Sequence, residues 1–170
     1  MKLNSYNNLL ELFFDQYKNQ DKNKIFLTNL GNPQNKLSWE KTFLLVNHLS
    51  NQISKDIKLG DRCILISENR PEWLISDLAI MLAGGISVPS YTTYTTKDYE
   101  YIIKDCEPSV LIVSNNTQFN KIKDILDYKK IKKIISFDRL ENLNYQNYLC
   151  IEDIINKKDG FENFDSEISL

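Results

Sequence analysis

From Gly60 onward the chain alternates short apolar runs with amphipathic stretches. Runs beginning near Cys63, Ile86, Val110 and Ile134 recur about every 23 residues, which is the rhythm of βα units building a parallel sheet. Segments of helical period lie between them, over roughly 70–83, 96–106 and 117–128, and right-handed crossovers would lay these helices over the sheet faces. The predicted fold class is therefore α/β, a doubly wound, mainly parallel sheet with flanking helices. The first 58 residues or so read differently. Ser5 to Gln20 forms an amphipathic helix with Tyr6, Leu9, Leu10, Phe13, Phe14 and Tyr17 on its apolar face,. Ile25 to Leu30 and Lys36 to Trp39 flank Gly31-Asn32-Pro33-Gln34-Asn35 as a hairpin, and Ser38 caps a helix to about Asp56 with Phe43, Val46, Leu49 and Ile53 on one side,. After Asp138 the pattern decays. Asn142 to Asn147 reads as a polar loop, Cys150 to Lys157 as a short helix, and Asp159 to Leu170 shows no period. The expected organisation is helix, hairpin and helix over about 1–58, βα units over about 59–138, and a poorly ordered connector over about 139–170.

The most legible unit runs from Gly60 to Tyr91. Arg62 to Ser67 is a strand, broken by Asn69, Arg70, Pro71 and Glu72. Asn69 is a favoured N-cap residue, Glu72 stands three positions later as in a capping box, and Pro71 suits a first helical turn. Trp73, Leu74, Leu78, Met81 and Leu82 then recur at helical spacing until Gly84-Gly85 stops the helix and Ile86 to Pro89 forms the next strand,. This places Trp73 in the core.

Composition removes several functions. The 170 residues carry a net charge of −2 with 26% charged residues, so nothing electrostatic calls for a nucleic-acid partner,. A hydrophobic content of 42% suits a globular chain,. No apolar run approaches the ~18 residues a spanning helix needs, and MKLNSYNNLLELFFDQYKNQ lacks the build of a signal peptide,. The first helix has acidic Glu11 and Asp15 on its polar side, which favours packing on the protein over lying on a membrane, although peripheral contact stays open,. Cys63, Cys106 and Cys150 are odd in number and widely spaced, as expected of reduced thiols in the cytoplasm,.

Candidate chemistry is sparse. Ser67 to Trp73 falls at the carboxyl end of a strand, where parallel sheets bind ligands, and Arg70 could clamp an anion there,. Capping by Asn69 and Glu72 and anchoring by Trp73 account for the same residues without a ligand, and that reading is preferred. Tyr91-Thr92-Thr93-Tyr94-Thr95-Thr96 offers clustered hydroxyls, yet Thr95 or Thr96 also makes an N-cap, with Asp98 and Glu100 in the first turn,. His48, the only histidine, has no Ser or Cys at a recognisable spacing,. One histidine and three scattered cysteines make no metal motif,. Lys129, Lys130, Lys132 and Lys133 read as a solvated loop,. With five glycines, neither a Walker-type loop nor a dinucleotide fingerprint can be built,.

Three stretches resemble the AMP-forming acyl-CoA synthetases, most of all the long-chain fatty-acid ligases: Gly60-Asp61-Arg62, Ser67-Glu68-Asn69-Arg70-Pro71-Glu72-Trp73, and Val88-Pro89-Ser90-Tyr91 followed by Thr95-Thr96. A weaker likeness runs from Asn4 to about Ser114 and includes Leu37-Ser38-Trp39. Cys63 and Ser90 depart from it mildly. The resemblance implies a full enzyme that adenylates a fatty acid with Mg-ATP, releases pyrophosphate and passes the acyl group to CoA. ATP, Mg2+ and CoA would be its cofactors, none held tightly by this chain. Such enzymes bind ATP through a Ser/Thr/Gly-rich loop ending in a Pro-Lys-Gly-type sequence that is missing here, and Phe161 to Leu170 is similar to the approach to it. The expectation is an N-terminal fragment, inactive alone, with no catalytic, cofactor-binding or metal-ligating residue, whose partner is the remainder of the same polypeptide. The competing reading is a free-standing, non-catalytic doubly wound binding module. Its receiver-type version wants an acidic cluster at strand ends, where this chain has Glu68, Ser90, Ser114 and Asp138.

Overall fold

The computed structural model describes residues 5–156. The expectations for 157–170 lie outside them. Helix α1 (Leu9–Asn19) begins at Asn8, whose side chain accepts from the Glu11 amide, and it buries Phe13 and Phe14. A hairpin follows, β1 (Ile25–Asn29) and β2 (Asn32–Ser38). Its turn is tighter than the five polar residues suggest. Asn29 Oδ1 accepts from the amides of Gly31 and Asn32 at 2.9 and 3.3 Å, so the side chain closes the bend and Pro33 joins the second strand,. Helix α2 (Trp39–Ser54) starts at Ser38 as expected, with Ser38 Oγ accepting from Lys41 N at 3.2 Å.

The sheet has the order β4-β3-β5-β6-β7, every neighbour parallel. Its strands are β3 (Arg62–Ile66), β4 (Ile86–Ser90), β5 (Val110–Val113), β6 (Lys133–Ser136) and β7 (Tyr148–Cys150). Helices α3 (Pro71–Leu82), α4 (Thr96–Cys106) and α5 (Asn116–Asn120) follow β3, β4 and β5, and α6 (Ile151–Asn156) follows β7. Strand pleating divides the core. Cys63, Leu65, Val110, Ile112, Ile135 and Phe137 belong to one cluster with α1, α2 and α3, while Ile64, Ile66, Leu111, Val113 and Ile134 join Tyr99 of α4 and Phe119 of α5 on the other face,. The sheet is therefore doubly wound.

Five expectations change. Asn69 does not cap α3: the N-cap is Arg70, in extended backbone at φ −127°, ψ 156°, without a side-chain cap bond. Pro71 is the reason, because the residue before a proline is forced extended and so becomes the last one outside the helix. Glu72 then stands at the second helical position, one short of the capping-box place, and it pairs with Arg70 instead,. Trp73 is half-buried, leaving Ile75, Leu78, Ala79 and Ile80 to carry the helix's buried face. The helix expected over 117–128 is only α5, and a run of tight turns continues it through Ile122 N to Phe119 O and Ile125 N to Ile122 O. Phe119, Ile122 and Ile125 step by three residues, which such turns keep on one side. The lysine cluster is not all solvated: Lys133 opens β6, is 5% exposed, and its Nζ lies 2.7 Å from Asp56 and 3.0 Å from Asn147 Oδ1. Lastly, β7 adds a strand that the sequence pattern does not show, while α6 falls within the short helix expected over Cys150 to Lys157.

The stop after α3 follows its glycines closely. Gly84 has φ +82°, Gly84 N reaches Met81 O, and Gly85 N reaches Ile80 O at 2.9 Å, a Schellman closure,. A side chain on Gly85 would meet Ile57, Ile80 and the Asp61 carbonyl at 3.0 to 3.3 Å.

Candidate functional site

In a doubly wound sheet ligands bind at the carboxyl edge, beside the strand where successive crossovers diverge to opposite faces. Here that strand is β3. The chain leaves it over one face to β4, then returns over the other to β5, so the crevice lies between the ends of β3 and β5. Glu68 follows β3 and Ser114 follows β5. The crevice is filled by the protein: Gln118 of α5 donates from Nε2 to Glu68 Oε1 at 2.8 Å, and Gln118 is 4% exposed. Burial pushes the Glu68 carboxyl up, but the hydrogen bonds around it, Gln118 among them, and the Arg70 charge outweigh burial and hold its pKa below the ordinary value,.

Arg70 closes the other side. Its Nη1 and Nη2 donate to Asp138 Oδ2 and Oδ1 at 2.9 and 2.8 Å, a two-pronged pair, and its Nε faces Glu72 Oε2 at 3.3 Å,. The guanidinium also lies 5.4 Å from the Phe137 ring centre,. Hydrogen bonding to Asp138, opposed by desolvation and joined by the charge of Glu72, raises the Arg70 pKa. An arginine committed to two carboxylates has little left for a substrate anion. Sequence spacing separates Arg70 from Asp138 by 68 residues, so only the closed sheet brings them together.

The threonine-rich segment is equally committed. Of the two candidate caps, Thr95 is the one that caps α4, and it does so with Asp98 in a reciprocal capping box. Thr96 Oγ1 donates to Lys121 O at 3.0 Å, and Lys121 Nζ reaches back to Thr92 O. Tyr99 is 1% exposed and donates to Tyr91 O at 2.7 Å. Desolvation, with the Glu68 charge behind it, pushes the Tyr99 hydroxyl to about 12. Between the ends of β3 and β4 an open cleft of 610 Å³ remains, bordered by Glu68, Asn69, Trp73, Ser90 and Tyr91. One carboxylate and no lysine or arginine border it, so a triphosphate with its magnesium does not fit there. His48 is a half-buried residue of α2. Gln118 was missed by sequence reasoning. Its signal was Asn115 followed three residues later by Gln, a capping-box spacing. Asn115 does cap α5 through the Gln118 amide, and the glutamine side chain turns to Glu68 instead.

The model of the AMP-binding enzyme family matches residues 13–158. A long-chain-fatty-acid–CoA ligase of Mycobacterium tuberculosis is 30% identical over 73 residues, which are 43% of this chain and 12% of that ligase. Fatty acyl-CoA synthetase A of Dictyostelium discoideum is 30% identical over 107 residues, 61% of this chain and 15% of the synthetase. Among solved structures, coronafacic acid ligase from Pectobacterium brasiliense superposes with a TM-score of 0.74 at 17% identity, covering 94% of this chain and 31% of that one. An anthranilate CoA ligase in complex with anthranoyl-AMP gives 0.67 at 24%, covering 81% and 27%. At such identities the structures speak for the fold alone. The chain spans less than a third of the length of each of these proteins.

Proposed function

The chain belongs to the AMP-binding enzyme family, and from that premise we propose that it forms the N-terminal part of an ATP-dependent, AMP-forming fatty-acid–CoA ligase. The complete enzyme would join a fatty acid to AMP with release of pyrophosphate and then form the CoA thioester. Its cofactors would be ATP, Mg2+ and CoA, and its partners the fatty acid and the rest of the ligase polypeptide. A reducing cytoplasmic setting agrees with the free thiols of Cys63, Cys106 and Cys150,. No helix among the described residues is long and apolar enough to cross a membrane.

One observation carries the division of labour. At the crevice where this topology would bind a ligand, Glu68 is held by Gln118, and Arg70 is held by Asp138 and Glu72. The carboxyl edge is thus a set of braces, and the residues that would activate a carboxylate for in-line attack on a phosphate are not among them. We assign this chain a scaffold role, with domain limits of about 1–58, 59–138 and 139–170, and no catalytic group of its own. The test is pyrophosphate release from the 170-residue chain supplied with fatty acid, Mg-ATP and CoA. The expected rate is that of buffer. Turnover above it that disappears with Arg70→Ala or Glu68→Gln would move the chemistry into this chain.

A further inference from the structure

Beside the braces of the carboxyl edge, the cleft between the ends of β3 and β4 stays open. Its volume is 610 Å³, and Glu68, Trp73, Pro89, Tyr91 and Thr92 are among the residues that border it. Trp73 is half-buried and Tyr91 is 72% exposed, so both aromatics reach the opening. The Tyr91 ring is held edge-to-face against Tyr94, with 5.5 Å between the ring centres,.

The protein itself engages the hydrogen-bond acceptors around this cleft. Glu68 Oε1 accepts from Gln118 Nε2 at 2.8 Å, and the Glu68 carbonyl accepts from Ser67 Oγ at 2.7 Å. The Tyr91 carbonyl accepts from Tyr99 at 2.7 Å, and that of Thr92 from Lys121 Nζ. The charge of Glu68 is not used up in the same way. Its carboxyl is held ionised at neutral pH by the hydrogen bonds around it, and Arg70, whose charge also acts on it, is paired with Asp138 and Glu72. Glu68, Glu72 and Asp138 thus stand against Arg70 and Lys121, and the edge keeps an excess of negative charge. What is left for a ligand is chiefly that charge and aromatic surface.

We propose that this cleft binds a quaternary ammonium group, with Glu68 supplying the opposite charge and Trp73 and Tyr91 the aromatic walls. Such a cation donates no hydrogen bond and spreads its charge over its methyl groups, so it is recognised by carboxylate and ring together. A primary ammonium has three N–H donors to satisfy and meets acceptors that already carry donors. An anion would face Glu68 with no lysine or arginine on the rim. The proposal stands apart from the ligase reading, because it concerns binding by this chain with no nucleotide or CoA present.

The experiment is ligand-observed NMR of choline, of its uncharged isostere 3,3-dimethyl-1-butanol and of ethanolamine, each titrated against the 170-residue chain at low salt. Choline should show saturable broadening of its methyl signal with a Kd of about 1–10 mM, in the range open to so small a ligand. The alcohol and the primary amine should each bind at least about tenfold more weakly. Glu68→Gln removes the charge and keeps the shape, and should weaken choline about tenfold; Tyr91→Leu removes a ring at an exposed position, and should weaken it about fivefold. Thermal melts of both variants check that the fold is kept. No saturable choline signal, binding of the alcohol or of ethanolamine as tight as that of choline, or choline binding unchanged in either variant would overturn the proposal.

Discussion

Trp73 shows how one side chain's environment differs from its pattern. Helical spacing puts it in line with Leu74 and Leu78, but the ring is only half-buried, bordering the cleft at the ends of β3 and β4 and a second groove beside Leu27 and Leu30. Trp73→Ala should therefore cost about 1–3 kcal/mol, less than the 3–5 typical of a fully buried aromatic. Urea denaturation decides it, and a loss above about 4 kcal/mol would mean the ring is packed far more tightly. Glu68 offers a pH test. Its pKa is lower folded than unfolded, so the unfolded chain takes up its proton first as pH falls. The stabilisation is complete above about pH 5 and disappears as pH drops through the folded value. Melting temperatures from pH 7 to 3 should fall less steeply for Glu68→Gln than for the parent, and parallel curves would exclude Glu68 as a contributor. Asn69 was legible as a turn former. That it would not cap could also have been read, from the proline two residues later.

At the scale of elements, the caps separate by mechanism. Ser38 and Thr95 each accept from a backbone amide three residues on, whereas Asn69 makes no such bond and precedes the N-cap. Thr95→Ala should cost about 1 kcal/mol and Ser38→Ala a similar amount, with Asn69→Ala within about 0.5 kcal/mol. Denaturation midpoints of the three variants check the order. Strand β7 was not legible because three residues, Tyr148 to Cys150, are too few to show a period. What holds it is tertiary: Asn147 donates to Asp56 Oδ1 at 2.9 Å and to Lys132 O, while Lys133 bridges Asp56 and Asn147. Removing Lys133 leaves a half-buried carboxylate without its cation. Lys133→Met should cost about 2–4 kcal/mol, and native-state hydrogen exchange should show β7 and α6 losing protection before β3 and β5 do. Uniform loss across the sheet would show that the triad does not pin this edge in particular.

For the whole molecule, the order of the strands is the decisive fact. Among the described residues β4 is an outer strand, and Ile86 N bonds Asp61 O at the start of β3 at 2.8 Å. Alternation then turns the backbone of Ser87 and Pro89 outward, so the proline, which has no N–H to offer, finishes the edge against a further strand. The sequence by itself determined the α/β class, four of the five strands in the sheet, the helices after β3 and β4 and the cap at Ser38, and narrowed the α4 cap to Thr95 or Thr96, because these depend on period and on contacts within a few residues. It also carried the family likeness, through three short motifs. Only the tertiary structure decided that Arg70 meets Asp138, that Gln118 fills the crevice beside Glu68, and that Lys133 is buried against Asp56. Those partners stand 68, 50 and 77 residues apart, and a local pattern cannot say which charge a side chain will meet once the sheet has brought distant segments together.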